Sequence, residues 1–316
     1  MTDHAFPFLT PLAAPGFLGA PTLSHRPDAP FAVAGIAWDG ATSNRPGARF
    51  GPEAIRRAGR MLCDGSHPLF GGAPADVLAD AGDLALPNTA LDAMRAALPP
   101  LIAPLIARHR MLWLGGDHSI TLPLLRAYRA HLGEPLALLH FDAHCDTWTD
   151  HFGEPSGHGT WVHDAAREGL IDLTRTVQIG IRSAAVRAAR DYVSDRGGVV
   201  LDARSLRGLD GWQLAPVTER IRERLAGAPA YLSFDIDCLD PAFAPGTGTP
   251  EPGGLSTSQA LTFLEDLAGI DWIGMDLCEV APPYDHAELT TSAAATLGWT
   301  WLAGMQARLA NAAVRP

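Results

Sequence analysis

The feature that most narrows the fold of this chain is a repeated exchange between short apolar runs and longer helix-like stretches. The apolar runs fall at residues 31–37, 110–114, 136–141, 177–181, 198–201, 230–234 and 272–275. Between them lie stretches with helical character at 90–108, 119–131, 184–195, 214–226 and 256–267, with Ser256 placed to cap the last. Strands that alternate with helices pair in parallel, because each crossover needs a helix to carry the chain back. The pattern therefore predicts an α/β fold of three layers, α/β/α, around a mostly parallel central sheet. Residues 1–30, with six prolines and little periodicity, read as an N-terminal arm, and 31–316 as a single domain without linker or repeat.

Five runs end abruptly in polar sequence: WLGGDHS, LLHFDAHCD, QIGIRS, YLSFDIDCLDP and IGMDLCEVAPP. An open parallel sheet binds ligands where the carboxyl ends of its strands open into loops, so these exits should face one crevice. Composition limits what that crevice holds. The net charge of −11 argues against nucleic acid and anionic membrane as partners and suits a small cation. All 24 bases are arginine, which removes lysine Schiff-base chemistry and the lysine of a phosphate-binding P-loop. Apolar content of 47% with 19% charged residues marks an ordered globular chain. No apolar run reaches the roughly 18 residues of a membrane span. Cys63, Cys145, Cys238 and Cys278 form no close pair, and no base precedes Arg26, so a reducing, cytoplasmic location is expected.

Within the exits, Asp142-x-His144-x-Asp146 and Asp235-x-Asp237 would each point their side chains one way on an extended backbone. His118, after Gly115-Gly116-Asp117, adds a second imidazole. Four carboxylates in one crevice repel each other and are costly to keep ionised without cations, whereas two divalent ions balance their charge. Oxygen-dominated ligation with some imidazole and no thiolate suits manganese, and less exclusively zinc, iron or nickel. Cys145 and Cys238 sit in the gaps of the alternation and face away. Asp117 is placed to orient His118 from behind. His140 reads as packing, His151 and His163 as bystanders near the crevice, and Trp299 and Trp301 as core or subunit interface.

These stretches resemble the ureohydrolases, the arginase–agmatinase superfamily, whose three signatures correspond to GGDHS (115–119), FDAHCD (141–146) and SFDIDCLDPAFAPGTGTPEPGG (233–254). The likeness extends from about residue 31 to the carboxyl terminus. NRPGARFGPEAIR (44–56), HGT (158–160), EGLID (168–172), VQIGIR (177–182) and EVAPPYDHAELTTSAAAT (279–296) resemble bacterial agmatinases in particular. The resemblance implies an arginase-like fold with two Mn2+ per subunit at the carboxyl ends of the strands. Asp142 and Asp235 would bridge the ions, His118 and Asp146 would complete one shell, and His144 and Asp237 the other. It also implies a homo-oligomer, a trimer or hexamer.

The implied reaction is hydrolysis of a guanidinium compound by a metal-bridging hydroxide, which Asp146 would orient. His158 corresponds to the proton-shuttle histidine that serves the leaving amine. Glu279 corresponds to the carboxylate that holds the guanidinium through paired N–H donors. Agmatine is the expected substrate, giving urea and putrescine, a polyamine precursor; Asp150, Glu154 and Asp164 are positioned to meet its amine. The stretch HFGE before HGT resembles guanidinobutyrases, so 4-guanidinobutyrate is the alternative, with Arg45, Arg49 and Arg182 available for its carboxylate. A dinuclear phosphoesterase and a non-catalytic scaffold are the readings from other classes. The first would have to clamp phosphate with arginine alone, and the second is opposed by the presence of all six ligand types.

Overall fold

In the computed structural model, which describes residues 16–62 and 66–314, eight strands join in one sheet. They are β1 (Phe31–Gly35), β2 (Leu78–Asp83), β3 (Arg110–Leu114), β4 (Leu136–Phe141), β5 (Ile171–Ile179), β6 (Val199–Leu201), β7 (Ala230–Asp235) and β8 (Trp272–Cys278). Their order is β2-β1-β3-β8-β7-β4-β5-β6, and every pairing is parallel. The helices are α1 (Gly51–Ala58), α2 (Leu91–Ile106), α3 (Thr121–Leu132), α4 (Trp161–Arg167), α5 (Arg187–Arg190), α6 (Ala215–Leu225), α7 (Thr257–Asp266) and α8 (Leu289–Val314).

Three layers follow from the two-residue period of the strands. Phe31, Val33, Leu112, Leu139, Phe141, Leu232 and Phe234 point into one apolar cluster, where Ile55 of α1, Ile221 of α6, Phe263 of α7 and Trp301 of α8 meet them. Ala32, Ala34, Met111, Trp113 and Leu138, one residue out of phase, point into the other with Leu98 of α2, Leu125 of α3 and Trp161 of α4. A sheet covered on both faces needs strands that are apolar throughout, which is why the strands were legible as continuous runs.

The sequence reading misses β2 because LADAGD is not an apolar run. It is an edge strand, and its Asp80 serves as an anchor: the carboxylate accepts from Phe17 N (2.8 Å) and Arg56 Nε (2.8 Å). Residues 16–30 of the expected arm lie along this edge, with Phe17 and Leu18 buried and Thr22 bridged to Asp80. Residues 1–15 of the arm, like Cys63, lie outside the described residues. The expected helix at 184–195 contracts to α5 and a separate 3-10 turn at Ser194–Arg196. Ser256 caps α7 as expected, its Oγ accepting from Gln259 N at 3.1 Å.

Candidate active site

β3, β8, β7 and β4 are consecutive in the sheet, so their carboxyl ends stand side by side. His118 follows β3, Glu279 follows β8, Asp235 closes β7 ahead of Asp237, and Asp142, His144 and Asp146 follow β4. Residues separated by up to 161 positions in sequence thereby meet in one crevice. Gly116 keeps the first of these exits tight: a Cβ there would sit 1.6 Å from the Trp38 carbonyl oxygen, and the next residue's N–H bonds that same oxygen at 2.7 Å.

The six residues singled out as ligands converge. Nδ1 of His118 lies 3.1 Å from Asp142 Oδ2, 3.1 Å from Asp235 Oδ2 and 3.4 Å from Asp146 Oδ2. Nδ1 of His144 lies 3.0 Å from Asp237 Oδ2 and 3.3 Å from Asp142 Oδ1. The donor atoms of His118, Asp142 and Asp146 lie within 4.8 Å of one another, as do those of Asp142, His144 and Asp237, so each set could hold a metal ion. All but His144, which is partly exposed, are buried.

The backbone does not achieve this by extended alternation. Asp142 Oδ1 accepts from His144 N (2.5 Å), and Asp235 Oδ1 accepts from Asp237 N (2.8 Å) as the cap of a 3-10 turn. Asp146 then takes a left-handed conformation, φ 53°. Each leading aspartate spends Oδ1 on its own backbone and turns Oδ2 toward the crevice. Local side-chain-to-backbone bonding of this kind is what Asp offers at a turn, and it overrides the strand geometry.

The charges of the cluster are strongly coupled to one another. Burial, then the neighbouring Asp142 charge, pushes Asp146 well above the ordinary carboxylate range; burial with Asp237 and Asp142 does the same to Asp235. Burial opposes charge on His118 and His144 too, but bonds to Asp142 and Asp235 in the first case, and to Asp237 and Asp142 in the second, raise both well above 6.5. Protons are drawn onto both imidazoles and onto Asp146 and Asp235, while against its burial Asp142 is held well below the ordinary carboxylate range by His140, His118 and His144; such a crevice favours added positive charge.

Two of the expected supporting roles change. Asp117 does not touch the His118 ring; it accepts from Ser119 N (3.0 Å), Ser119 Oγ (2.5 Å) and Ala41 N (2.7 Å), and so braces the loop backbone. His140 is more than packing. Gln178 Nε2 donates to its Nδ1 (3.0 Å), leaving Nε2–H to donate to Asp142 Oδ2 (2.8 Å). Burial lowers its pKa despite that neighbour, so it supports the carboxylate as a neutral ring. The partners of the His118 ring were missed altogether: Ser233 Oγ lies 2.7 Å from its Nε2, and Asp276 stands behind Ser233. The available signal was an aspartate in the middle of an otherwise apolar strand.

Glu279 is buried with φ 64°. Its Oε1 accepts from His118 N (2.9 Å) and from His158 Nδ1 (2.8 Å), while Oε2 has no partner. Burial opposes charge on His158, but the Glu279 carboxylate outweighs it and the ring is pushed up to about 9. Ser43 faces the other nitrogen with both N (3.1 Å) and Oγ (2.8 Å), so Nε2 has a donor when bare and an acceptor when protonated.

A cavity of about 330 Å³ is lined by His118, His144, Asp146, His158 and Asp235, with Trp148, Asp150, His151 and Phe152 on a single loop beside them; Asp142, Asp237 and Glu279 are not among its lining residues. Among the described residues no arginine lines it. Arg182 is committed to five backbone carbonyls, Arg49 to Asp39, and Arg45 lies over the Tyr284 ring. Glu154 and Asp164 stay outside the cavity, Asp164 being held by Ser156 and Thr160. His163 packs on Tyr192. Cys145 and Cys238 face apolar clusters. Trp301 is core, with Trp299 partly buried beside it.

Sheet and strand exits together define an α/β enzyme with a His/Asp cluster able to hold metal ions. A model of the Arginase family matches residues 29–304. Agmatinase from Cronobacter sakazakii is 43% identical over 288 residues, 89% of this chain and 90% of that protein. A hypothetical agmatinase from Burkholderia thailandensis superposes with a TM-score of 0.81 at 42% identity, covering 89% of this chain and 87% of its own. Proclavaminate amidino hydrolase from Streptomyces clavuligerus superposes with a TM-score of 0.86 at 35% identity, covering 96% and 99%. The chain belongs to the arginase family, and it is a ureohydrolase acting on a guanidino C–N bond.

Proposed function

We propose that this protein, through a single catalytic domain over residues 31–316, hydrolyses agmatine to urea and putrescine with two Mn2+ per subunit. The observation that carries the choice of substrate is the cavity wall. It presents carboxylates, imidazoles and aromatic groups, with Asp150 on the loop beside the cluster and, among the described residues, no arginine to receive a substrate carboxylate. Agmatine carries a cation at each end, and 4-guanidinobutyrate carries an anion at one. The agmatinases among its relatives support the same choice.

The donor set fits the ions: four buried carboxylates and two imidazoles, with no thiolate among them, in a field that favours positive charge. His118 and Asp146 would serve one ion, His144 and Asp237 the other, and Asp142 and Asp235 both. When bound, the ions supply a nucleophile from water at neutral pH and charge to offset that of the attacked group. The rest falls to side chains. Glu279 Oε2, buried and without a partner, accepts a guanidinium N–H. His158 keeps one proton on Nδ1 toward Glu279 and holds a second on Nε2 against Ser43 Oγ, ready for the leaving amine.

A homo-oligomer, trimer or hexamer, in the cytoplasm completes the proposal; buried free thiols at Cys145, Cys238 and Cys278 suit a reducing compartment. Among the described residues no helix is long and apolar enough to cross a membrane. The test is urea release by the manganese-loaded enzyme from agmatine, arginine and 4-guanidinobutyrate side by side. Agmatine should lead, and a preference for 4-guanidinobutyrate would overturn the substrate assignment.

A further inference from the structure

We propose that Ser233 and Asp276 are positioning residues that set the tautomer and aim of His118, and through it the affinity of the first metal position. The inference rests on the proposed metal centre and concerns side chains that touch neither substrate nor ion. Ser233, on β7, and Asp276, on β8, are paired in register across the sheet. Ser233 Oγ lies 2.7 Å from Asp276 Oδ1 and 2.7 Å from His118 Nε2. All three residues are buried, so no bulk water can substitute for a missing partner.

The hydroxyl has one proton, and counting donors decides where it goes. Asp276 is surrounded by groups that can only give to an ionised carboxylate: Thr121 Oγ1 (2.9 Å), Tyr231 OH (2.9 Å) and the Cys278 thiol (3.5 Å). Ser233 is the fourth donor to the same carboxylate. With its proton given to Asp276, its oxygen must accept from His118, which fixes the imidazole proton on Nε2. In the neutral ring, the form that would bind a metal, Nδ1 is then left as a lone pair, and it is Nδ1 that faces Asp142, Asp146 and Asp235 at 3.1–3.4 Å. The relay works as a carboxylate–imidazole pair with a hydroxyl inserted, allowing a strand in the sheet to reach a ring beyond its exit.

Tyr231 supplies the control, since its hydroxyl reaches the same carboxylate without touching His118. Chelator-stripped wild type, S233A, D276N and Y231F would each be titrated with MnCl2, free Mn2+ being read from its electron paramagnetic resonance signal. S233A and D276N should bind one of the two ions about 10- to 100-fold more weakly than wild type, and Y231F should bind both within about twofold of it. Should D276N fail to fold, S233A, which removes one oxygen, decides alone. Affinity in S233A within about twofold of wild type, or an equal loss in Y231F, would overturn the relay. Failure of the wild type itself to bind Mn2+ would overturn the metal centre and the relay with it.

Discussion

At the scale of single residues, Glu279 joins most of the chemistry. One oxygen fixes the loop that carries His118 and polarises His158, and the other, without a partner, is the one proposed to accept from the guanidinium. Removing its charge should therefore do two things at once. Glu279→Gln should lower kcat/KM for agmatine by at least about 100-fold, in line with loss of a positioned catalytic group. It should also move the alkaline limb of the pH profile. In its proposed role His158 gives a proton, so activity should be present below its pKa and be lost as pH rises through about 9. Without the carboxylate that raises it, that loss should come at lower pH, measured on the residual activity. A limb that stays near 9 in the variant would mean that another group sets it. The types of these residues were legible from sequence, because acids and imidazoles at strand exits have few other uses. The partners of His118 were not, since Ser233 and Asp276 sit inside strands and look like ordinary polar interruptions until the register is known.

At the scale of elements, what sequence reveals depends on where an element buries its surface. Central strands are apolar on both faces and were recognisable; β2, at the edge, pairs through one side and carries two aspartates that anchor the arm and α1. The two D-x-(H/D) stretches were read as extended and are turns, because an aspartate that can bond the N–H two residues on will do so where the strand ends. The structure brings the chosen residues together, through turns and not through the extended geometry assigned to them. Capping was more legible, being local. Ser256 and Gln259 close a reciprocal box at the start of α7, with Ser256 N donating to Gln259 Oε1 at 3.0 Å. Ser256→Ala should cost about 1 kcal/mol in denaturant unfolding and leave urea release unchanged, since α7 packs away from the crevice. A fall in turnover would mean that α7 positions the site.

At the scale of the whole molecule, the charge excess and the site belong together. The net charge of −11 includes buried carboxylates that oppose one another until cations join them. Metal should therefore stabilise the fold, by about 2.7 kcal/mol for each site at a hundredfold excess over its dissociation constant. It should leave as pH falls, because protons compete for imidazoles whose pKa values the carboxylates have raised. As proposed, the exits of β3, β4 and β7 form a two-ion centre on which guanidine hydrolysis depends. The most direct measurement is the metal content per subunit of manganese-loaded, gel-filtered protein, with urea release from agmatine followed on the same samples before and after chelation. Two Mn2+ per subunit are expected, with urea release that disappears with them and returns on reloading. A single ion per subunit at full activity, or urea release that survives complete removal of metal, would contradict the proposal.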